Sequence, residues 1–342
     1  MFNQQFDRRR FLKTAGVGAL GLVGLSQSAG AAKGIGLPRA TPDVAPVARV
    51  TVKDPSRVRL LQFTDTHFFC AKKNTERWKD PKTVEDMVRL VDALEPDLVA
   101  VTGDLWQENP HGQGEEYMQW SVEQCESLGV PWLFTWGNHD KLTDYARGHE
   151  ALTTAKHALY RGGATGGNYT VQLANSDGEI VWRLLCLNTS DDGFEQPQRQ
   201  WLQDELVSSK GAQTARRPAF ALFHIPLRQY KTVWEKGIAN GVFKERVAYD
   251  NDDGSTLAIL KRLGVRACLC GHDHVNDYSG VLDGVDLIYG RATGLGGYGE
   301  VLLYKGAKLY TLNCEAATWT WETHLRDGTR WRPDPGERIE KA

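Results

Sequence analysis

Short, largely apolar runs recur along this chain at residues 58–63, 98–101, 132–136, 220–223 and 267–270. Strands that are apolar on both faces belong inside a mostly parallel sheet covered on each side by other layers. Between the first two runs, Val84, Met87, Val88, Val91 and Leu94 recur at helical spacing. Asp80-Pro81 opens that helix and Pro96 lies just beyond it. Residues 58–101 therefore read as a βαβ unit with a parallel pair. Residues 115–128 predict a second helix, closed by Gly129 ahead of the 131–136 strand. A third spans 255–263, capped by Asp252 or Asp253 and closed by Gly264 before the strand that ends at Cys270.

A second kind of segment follows a different rhythm. Residues 169–173, 180–187, 287–289, 301–304 and 309–313 are short and β-rich, separated by turn residues such as Ser176-Asp177-Gly178. A βαβ core with antiparallel additions predicts an α/β fold, a four-layer α/β/β/α sandwich of two mixed sheets flanked by helices.

The two ends of the chain read differently. Arg8-Arg9-Arg10-Phe11-Leu12-Lys13 precedes an apolar Gly/Ala-rich stretch, residues 14–25, and then the small residues Ser28-Ala29-Gly30-Ala31-Ala32. That order is a signal-peptide pattern, and the paired arginines resemble the bacterial twin-arginine export signal, with Asp7 where Ser or Thr is usual. The apolar stretch is short against the roughly 20 residues a spanning helix needs, and no later segment is longer, so no transmembrane segment is expected in the mature chain. The expected organisation is a signal peptide at 1–32, a Pro- and Gly-containing linker at 33–56, one domain at 57–325 and a polar tail at 326–342. The expected partner at the N-terminus is the twin-arginine export machinery, and the expected location is periplasmic or secreted.

The chain has 342 residues, 41% hydrophobic and 25% charged, with a net charge of −2. This is an ordinary globular composition. A general nucleic-acid binder carries a basic footprint, and no basic, aromatic groove pattern is present, so stable nucleic-acid binding is not expected. Six scattered cysteines show no zinc-ribbon spacing. Cys268 and Cys270 flank Leu269 on a predicted strand and would share one packing face.

Candidate chemistry follows the apolar runs. Asp65-Thr66-His67, Gly103-Asp104, Gly137-Asn138-His139-Asp140, His224 and Gly271-His272-Asp273-His274 each come just after one. The carboxyl ends of strands are where α/β sheets build their sites. Hydrolysis of a phosphate ester needs a nucleophile at neutral pH, neutralised phosphate oxygens and a stabilised leaving group. Two divalent ions about 3.5–4 Å apart meet all three needs. Such a pair requires a carboxylate able to bridge and several terminal His, Asp or Asn ligands, the inventory found here.

In this order the five motifs resemble the calcineurin-like metallophosphoesterase superfamily. Phe223-His224-Ile225-Pro226-Leu227, the stretch from Gly271 to Asp277 and Gly290-Arg291-Ala292-Thr293-Gly294 look like its single-domain, purple-acid-phosphatase-like branch. The resemblance implies that Asp65, His67 and His274 hold one metal, that Asn138, His224 and His272 hold the other, and that Asp104 bridges them. It implies two divalent ions of Mn, Fe or Zn type and in-line attack of an activated hydroxide on a small phosphorylated substrate. His139 would be the acid or transition-state stabiliser, oriented by Asp140, with Asn138 and His139 against the phosphate. Purple acid phosphatases proper carry a Tyr three positions after the bridging Asp. Gln107 stands there in this chain, so no tyrosinate band is expected.

Phosphomonoester hydrolysis is the first functional expectation. A cyclic-nucleotide or other phosphodiesterase is the alternative, and a non-catalytic metal- or phosphate-binding protein the third. Arg228 and Arg291 are further candidates for substrate contact. The literal GxGxxG from Gly294 to Gly299 is not followed by a helix pattern, so it reads as a loop at the rim of the site rather than a dinucleotide fingerprint. The Asp250–Gly254 stretch lacks the closing Glu of a calcium loop and reads as a helix cap.

Overall fold

The computed structural model describes residues 47–70, 74–208 and 217–340. The export-signal stretch and the first part of the expected linker lie outside the described residues. The helical spacing around Met87 is realised as α1 (Lys79–Leu94), with Met87, Leu90, Val91 and Leu94 buried on one face. Asp80 does not cap it. Its carboxylate instead accepts the Phe69 N–H at 3.1 Å, which ties the loop after the strand Val58–Phe63 to the helix.

Strand labels follow chain order. Among the described residues there are two sheets. In the six-stranded sheet, β2 (Val58–Phe63), β3 (Leu98–Thr102) and β4 (Trp132–Thr135) are parallel neighbours. β12 (Gly306–Asn313), β13 (Thr318–Leu325) and β14 (Arg330–Trp331) add antiparallel strands beside β2. The nine-stranded sheet is parallel through β6 (Ile180–Cys186), β7 (Ala219–Leu222), β9 (Val265–Cys270) and β11 (Val285–Tyr289). β5 (Tyr169–Ala174) pairs antiparallel with β6, and β1 (Val47–Thr51) lies parallel beside β5 at that edge. At the other edge β10 (Asn276–Leu282), β8 (Ala239–Phe243) and β15 (Arg338–Glu340) complete the order.

The two-residue period of a strand assigns the layers. Phe220, Leu222, Ala267 and Leu269 join the core shared with the six-stranded sheet. Their neighbours Ala219, Ala221, Cys268 and Cys270 face outward and are buried with Leu202 of α4 (Gln196–Ser208), Tyr230 and Val233 of α5 (Arg228–Glu235) and Leu260 of α6 (Thr256–Arg262). Met118 and Cys125 of α2 (Gly114–Ser127) and Leu152 of α3 (Tyr145–Thr154) pack with the six-stranded sheet's side of the core. The architecture is mixed α/β, with two mixed sheets and helices outside, as the apolar runs predicted. No helix among the described residues is long and apolar enough to cross a membrane.

Three boundaries need correction. Residues 47–51 of the expected linker are β1, paired with residues 170–174 of β5. The expected polar tail contributes β14 and β15, which pair with β13 and β8. The apolar stretch 301–304 is not a strand but a turn: the Gly299 carbonyl accepts the N–H groups of Leu302 and Leu303, and Val301 is almost fully exposed.

Candidate metal centre

The loops after β2, β3, β4, β7 and β9 deliver the candidate ligands to one place. The backbone there is held in a conformation few side chains accept. Asp65, His67, Asp104 and His272 all have positive φ, at 54°, 45°, 52° and 76°. Left-handed non-glycine residues are each costly by about 1–3 kcal/mol and cluster at functional sites. Gly103 explains why a bare Gly-Asp pair suffices after β3. Its φ is +84°, and a Cβ there would meet the His224 ring at 2.5 Å.

Asp65, His67, Asp104 and His274 form one group of donor atoms within 4.8 Å of one another, and Asp104, His224 and His272 form a second. Asp104 alone belongs to both. Its Oδ2 lies 3.3 Å from His67 Nε2 and 3.1 Å from His224 Nε2. Asp65 Oδ1 is 3.2 Å from His274 Nε2, and His67 Nε2 faces His274 Nε2 at 3.0 Å. His272 presents Nδ1 to His224 Nε2 at 3.3 Å. All these residues but His272 are buried to within a few per cent.

The donor set fits a pair of cations. Three imidazoles have their second nitrogen committed elsewhere: His224 Nδ1 to the Thr102 carbonyl at 2.9 Å, His67 Nδ1 to Gln107 Oε1 at 2.6 Å, and His274 Nδ1 near the Tyr298 carbonyl at 3.3 Å. An N–H donated outward leaves Nε2 with its lone pair aimed at the centre, the orienting arrangement common around metal-bound histidines. Asn138 Oδ1 is buried yet accepts no hydrogen bond among the described residues. An orphaned buried acceptor needs an explanation, and a cation supplies one.

Electrostatics point the same way. Burial raises the Asp104 and Asp65 carboxyls, but His224 and His67 outweigh it at Asp104, and His274 and His224 at Asp65, so both lie well below the usual carboxylate range. Burial pushes His67 down to about 4 and His272 down to about 3. Burial also opposes charge on His224, but the Asp104 carboxylate beside it raises it to about 10. Two ionised carboxylates thus favour positive charge beside the imidazoles of His67 and His272, which burial keeps neutral.

The acid–base candidates are arranged differently from expectation. Asp140 does not touch the His139 ring. Its buried carboxylate accepts the N–H groups of Gly137, Asp104, Leu105 and Trp106 at 2.7–3.1 Å, which locks the β3 and β4 loops together. The partner of His139 is Glu108, whose Oε1 lies 2.6 Å from Nδ1. A carboxylate at that distance makes Nδ1 the protonated nitrogen and leaves Nε2 available to the cleft. Gln107 stands between, with Oε1 on His67 and Nε2 3.1 Å from His139 Nδ1. Sequence reading treated Gln107 only as a missing tyrosine and passed over Glu108. The one available signal was an acid four residues past Asp104. We expect Gln107→Ala to weaken the metal site that includes His67 by about 10–100-fold, the usual effect of losing an orienting partner. Metal titration of the variant checks it.

The two arginine candidates are engaged elsewhere. Arg291 is buried with its Nε on Asp277 Oδ2 at 2.7 Å and Nη1 on the Tyr304 carbonyl at 2.8 Å. Exposed Arg228 donates Nε to the Asp252 carbonyl at 3.2 Å and lies over the Tyr249 ring. Neither lines the cleft above the centre, so the expected phosphate contacts give way to structural ones.

Two donor groups joined by one carboxylate at the ends of parallel strands define a potential dimetal site of the phosphoesterase kind. The chain belongs to the calcineurin-like phosphoesterase family, whose profile matches residues 58–276. It is 25% identical over 321 residues to probable inactive purple acid phosphatase 28 of Arabidopsis thaliana, covering 79% of each chain. It is 36% identical over 231 residues to the 3',5'-cyclic adenosine monophosphate phosphodiesterase CpdA of Escherichia coli, covering 64% of this chain and 70% of that one. In fold it is similar to a dimetal phosphatase from Danio rerio, with a TM-score of 0.53 at 13% identity over 80% of this chain and 97% of the other.

Proposed function

We propose that this protein is an exported, dinuclear-metal phosphoesterase that hydrolyses phosphomonoesters. The observation that carries the reading is Asp104, one buried carboxylate shared by both donor groups, with His139 beside it. When bound, two divalent cations of Mn, Fe or Zn type supply a nucleophile at neutral pH and neutralise phosphate oxygens during an in-line displacement. Asp65, His67 and His274 would hold one, Asn138, His224 and His272 the other, and Asp104 both.

The chain's own residues do the rest. Asp140 fixes the Asn138-His139 loop against the Asp104 loop through backbone N–H groups. The His139 ring stands 5.1 Å from that of His67, centroid to centroid, at the edge of the centre. From there the doubly protonated ring, its Nδ1–H and positive charge held by Glu108, gives its Nε2 proton to the leaving oxygen and is left neutral. Glu108→Gln keeps the shape and loses the charge. Its kcat should fall about tenfold with KM little changed, the pattern of an interaction made in the transition state. Unaltered kcat would remove Glu108 from the mechanism.

Protein reconstituted with manganese and assayed on p-nitrophenyl phosphate, bis-p-nitrophenyl phosphate and cyclic AMP tests the main reading. The monoester should give the highest kcat/KM. Turnover of diesters alone would establish the second reading, a phosphodiesterase on the same centre, which the likeness to the Escherichia coli phosphodiesterase supports. The Arabidopsis relative is named as inactive. Against a non-catalytic role here stands the His139–Glu108 pair, because storing metal needs no proton donor. Export rests on Arg8-Arg9 and the apolar stretch after them. A mature chain beginning near residue 32 in an extracytoplasmic fraction supports it, and an intact N-terminus in the cytoplasm refutes it.

A further inference from the structure

The metal centre lies in a cleft of about 580 Å³. That size suits a whole small molecule, since ligand pockets span roughly 300–1,000 Å³. Beyond the centre its walls carry Glu76, Lys79, Glu245, Arg246 and Tyr298. Lys79 Nζ pairs with Glu76 Oε1 at 2.9 Å. Glu245 accepts the Val275 N–H and the Tyr298 hydroxyl, each at 2.8 Å. Arg246 is different. Among the described residues its guanidinium makes no hydrogen bond or ion pair, and the Asp250 carboxyl feels its charge at longer range.

The backbone beneath that free head is fixed on both sides. Asn276 Oδ1 accepts the N–H groups of Lys244 and Glu245 at 3.0 and 3.2 Å. The Asp273 carboxylate, between His272 and His274 in sequence, accepts that of Ala248 at 3.3–3.4 Å. The nearest acid along the chain, Glu245, is turned away toward Val275 and Tyr298. Arg246 is therefore an exposed cation at the rim of the cleft, on a backbone held at either side, with its donors unused. The carboxylates of Glu76 and Glu245 would repel an anionic substituent there unless a fixed cation met it.

We propose that Arg246 recognises a second oxyanion of the substrate, a carboxylate or a phosphate separate from the group held at the metal centre. The preferred substrates are then small phosphoesters bearing a further acidic group. The planar guanidinium fork matches either oxyanion with two parallel hydrogen bonds. This rests on the phosphoesterase reading of the centre and names its substrate class.

Calorimetric binding of three non-hydrolysable probes to the manganese-loaded full chain tests it: benzylphosphonate, 4-carboxybenzylphosphonate and p-xylylene bisphosphonate. The wild type should bind at least one of the two doubly acidic probes about 10–100-fold more tightly than benzylphosphonate, and whichever is tighter identifies the second group. In Arg246→Ala that ratio should collapse toward one. Arg246→Lys, which keeps the charge and loses the fork, should fall between. Equal binding of all three probes by the wild type, or an unchanged ratio in Arg246→Ala, overturns the proposal while leaving the centre's reading intact. Failure to bind any phosphonate overturns both.

Discussion

Asp104→Ala should abolish binding at both metal positions together and lower turnover by at least about 10⁴-fold, beyond the 10²–10⁴ expected of a single acid–base group. The argument is geometric. Asp104 is the only residue common to the two donor groups, and its other oxygen, Oδ1, accepts the His139 N–H at 2.8 Å. Removing it deletes a ligand from each position and loosens the loop that carries Asn138. It also leaves His224 buried without the carboxylate that holds its charge. His139→Ala should behave differently, with metal content near normal and turnover down by about 10²–10⁴-fold. Elemental analysis beside steady-state kinetics separates the two. An Asp104→Ala variant that retained two ions per chain would refute the bridging role.

The donor cluster was legible because the candidate ligands follow the strongest signals in the chain. A buried parallel strand is an apolar run, and a polar cluster directly after it has one destination, the carboxyl edge of the sheet. The convergence of Asp65, Asp104, His224 and His272 was readable on that basis. Orientation within the cluster was not. Asp140 lies next to His139 in sequence, yet its carboxylate is drawn to four backbone N–H groups, while Glu108 reaches the ring from another strand's loop. Adjacency along a chain says little about side-chain direction once a tight turn intervenes.

The edges of both sheets were illegible for a related reason. β15 is Arg338-Ile339-Glu340, three residues with a single apolar position, too short to show a pattern. What places it is pairing with β8 and the Arg338 side chain, which donates to the Trp234 carbonyl at 2.9 Å and lies over the Trp234 ring. The opposite error occurred at residues 301–304, whose apolar character promised a strand. Among the described residues no strand pairs with that stretch, and the chain turns at Gly299 instead. Pairing partners come from the tertiary fold, so short strands cannot be read from composition alone.

The largest expected effect on stability lies behind the site, at Asp277 on β10. Its carboxylate is fully buried between the sheets and accepts from Arg291 Nε at 2.7 Å, from Lys308 Nζ of β12 and from Thr323 Oγ1 of β13 at 3.0 Å. One anion thus pins a strand of the nine-stranded sheet to two strands of the other, three residues past His274. Asp277→Asn keeps the shape but leaves two buried cations unbalanced, and should cost about 3–5 kcal/mol, the usual penalty for breaking a buried ion pair from one side. Chemical denaturation of the metal-free proteins measures it. The pH dependence supplies a second check. Burial raises the Asp277 carboxyl, yet Lys308 and Arg291 outweigh it and hold the group below its ordinary value. Such a group contributes its stability above the unfolded-state value of about 3.9 and loses it as pH falls through the lower folded-state value. The gap between wild type and Asp277→Asn should therefore be full near neutrality and narrow below about pH 4, where the unfolded carboxyl takes up its proton. A gap independent of pH would mean that the charge on Asp277 is not what ties the two sheets together.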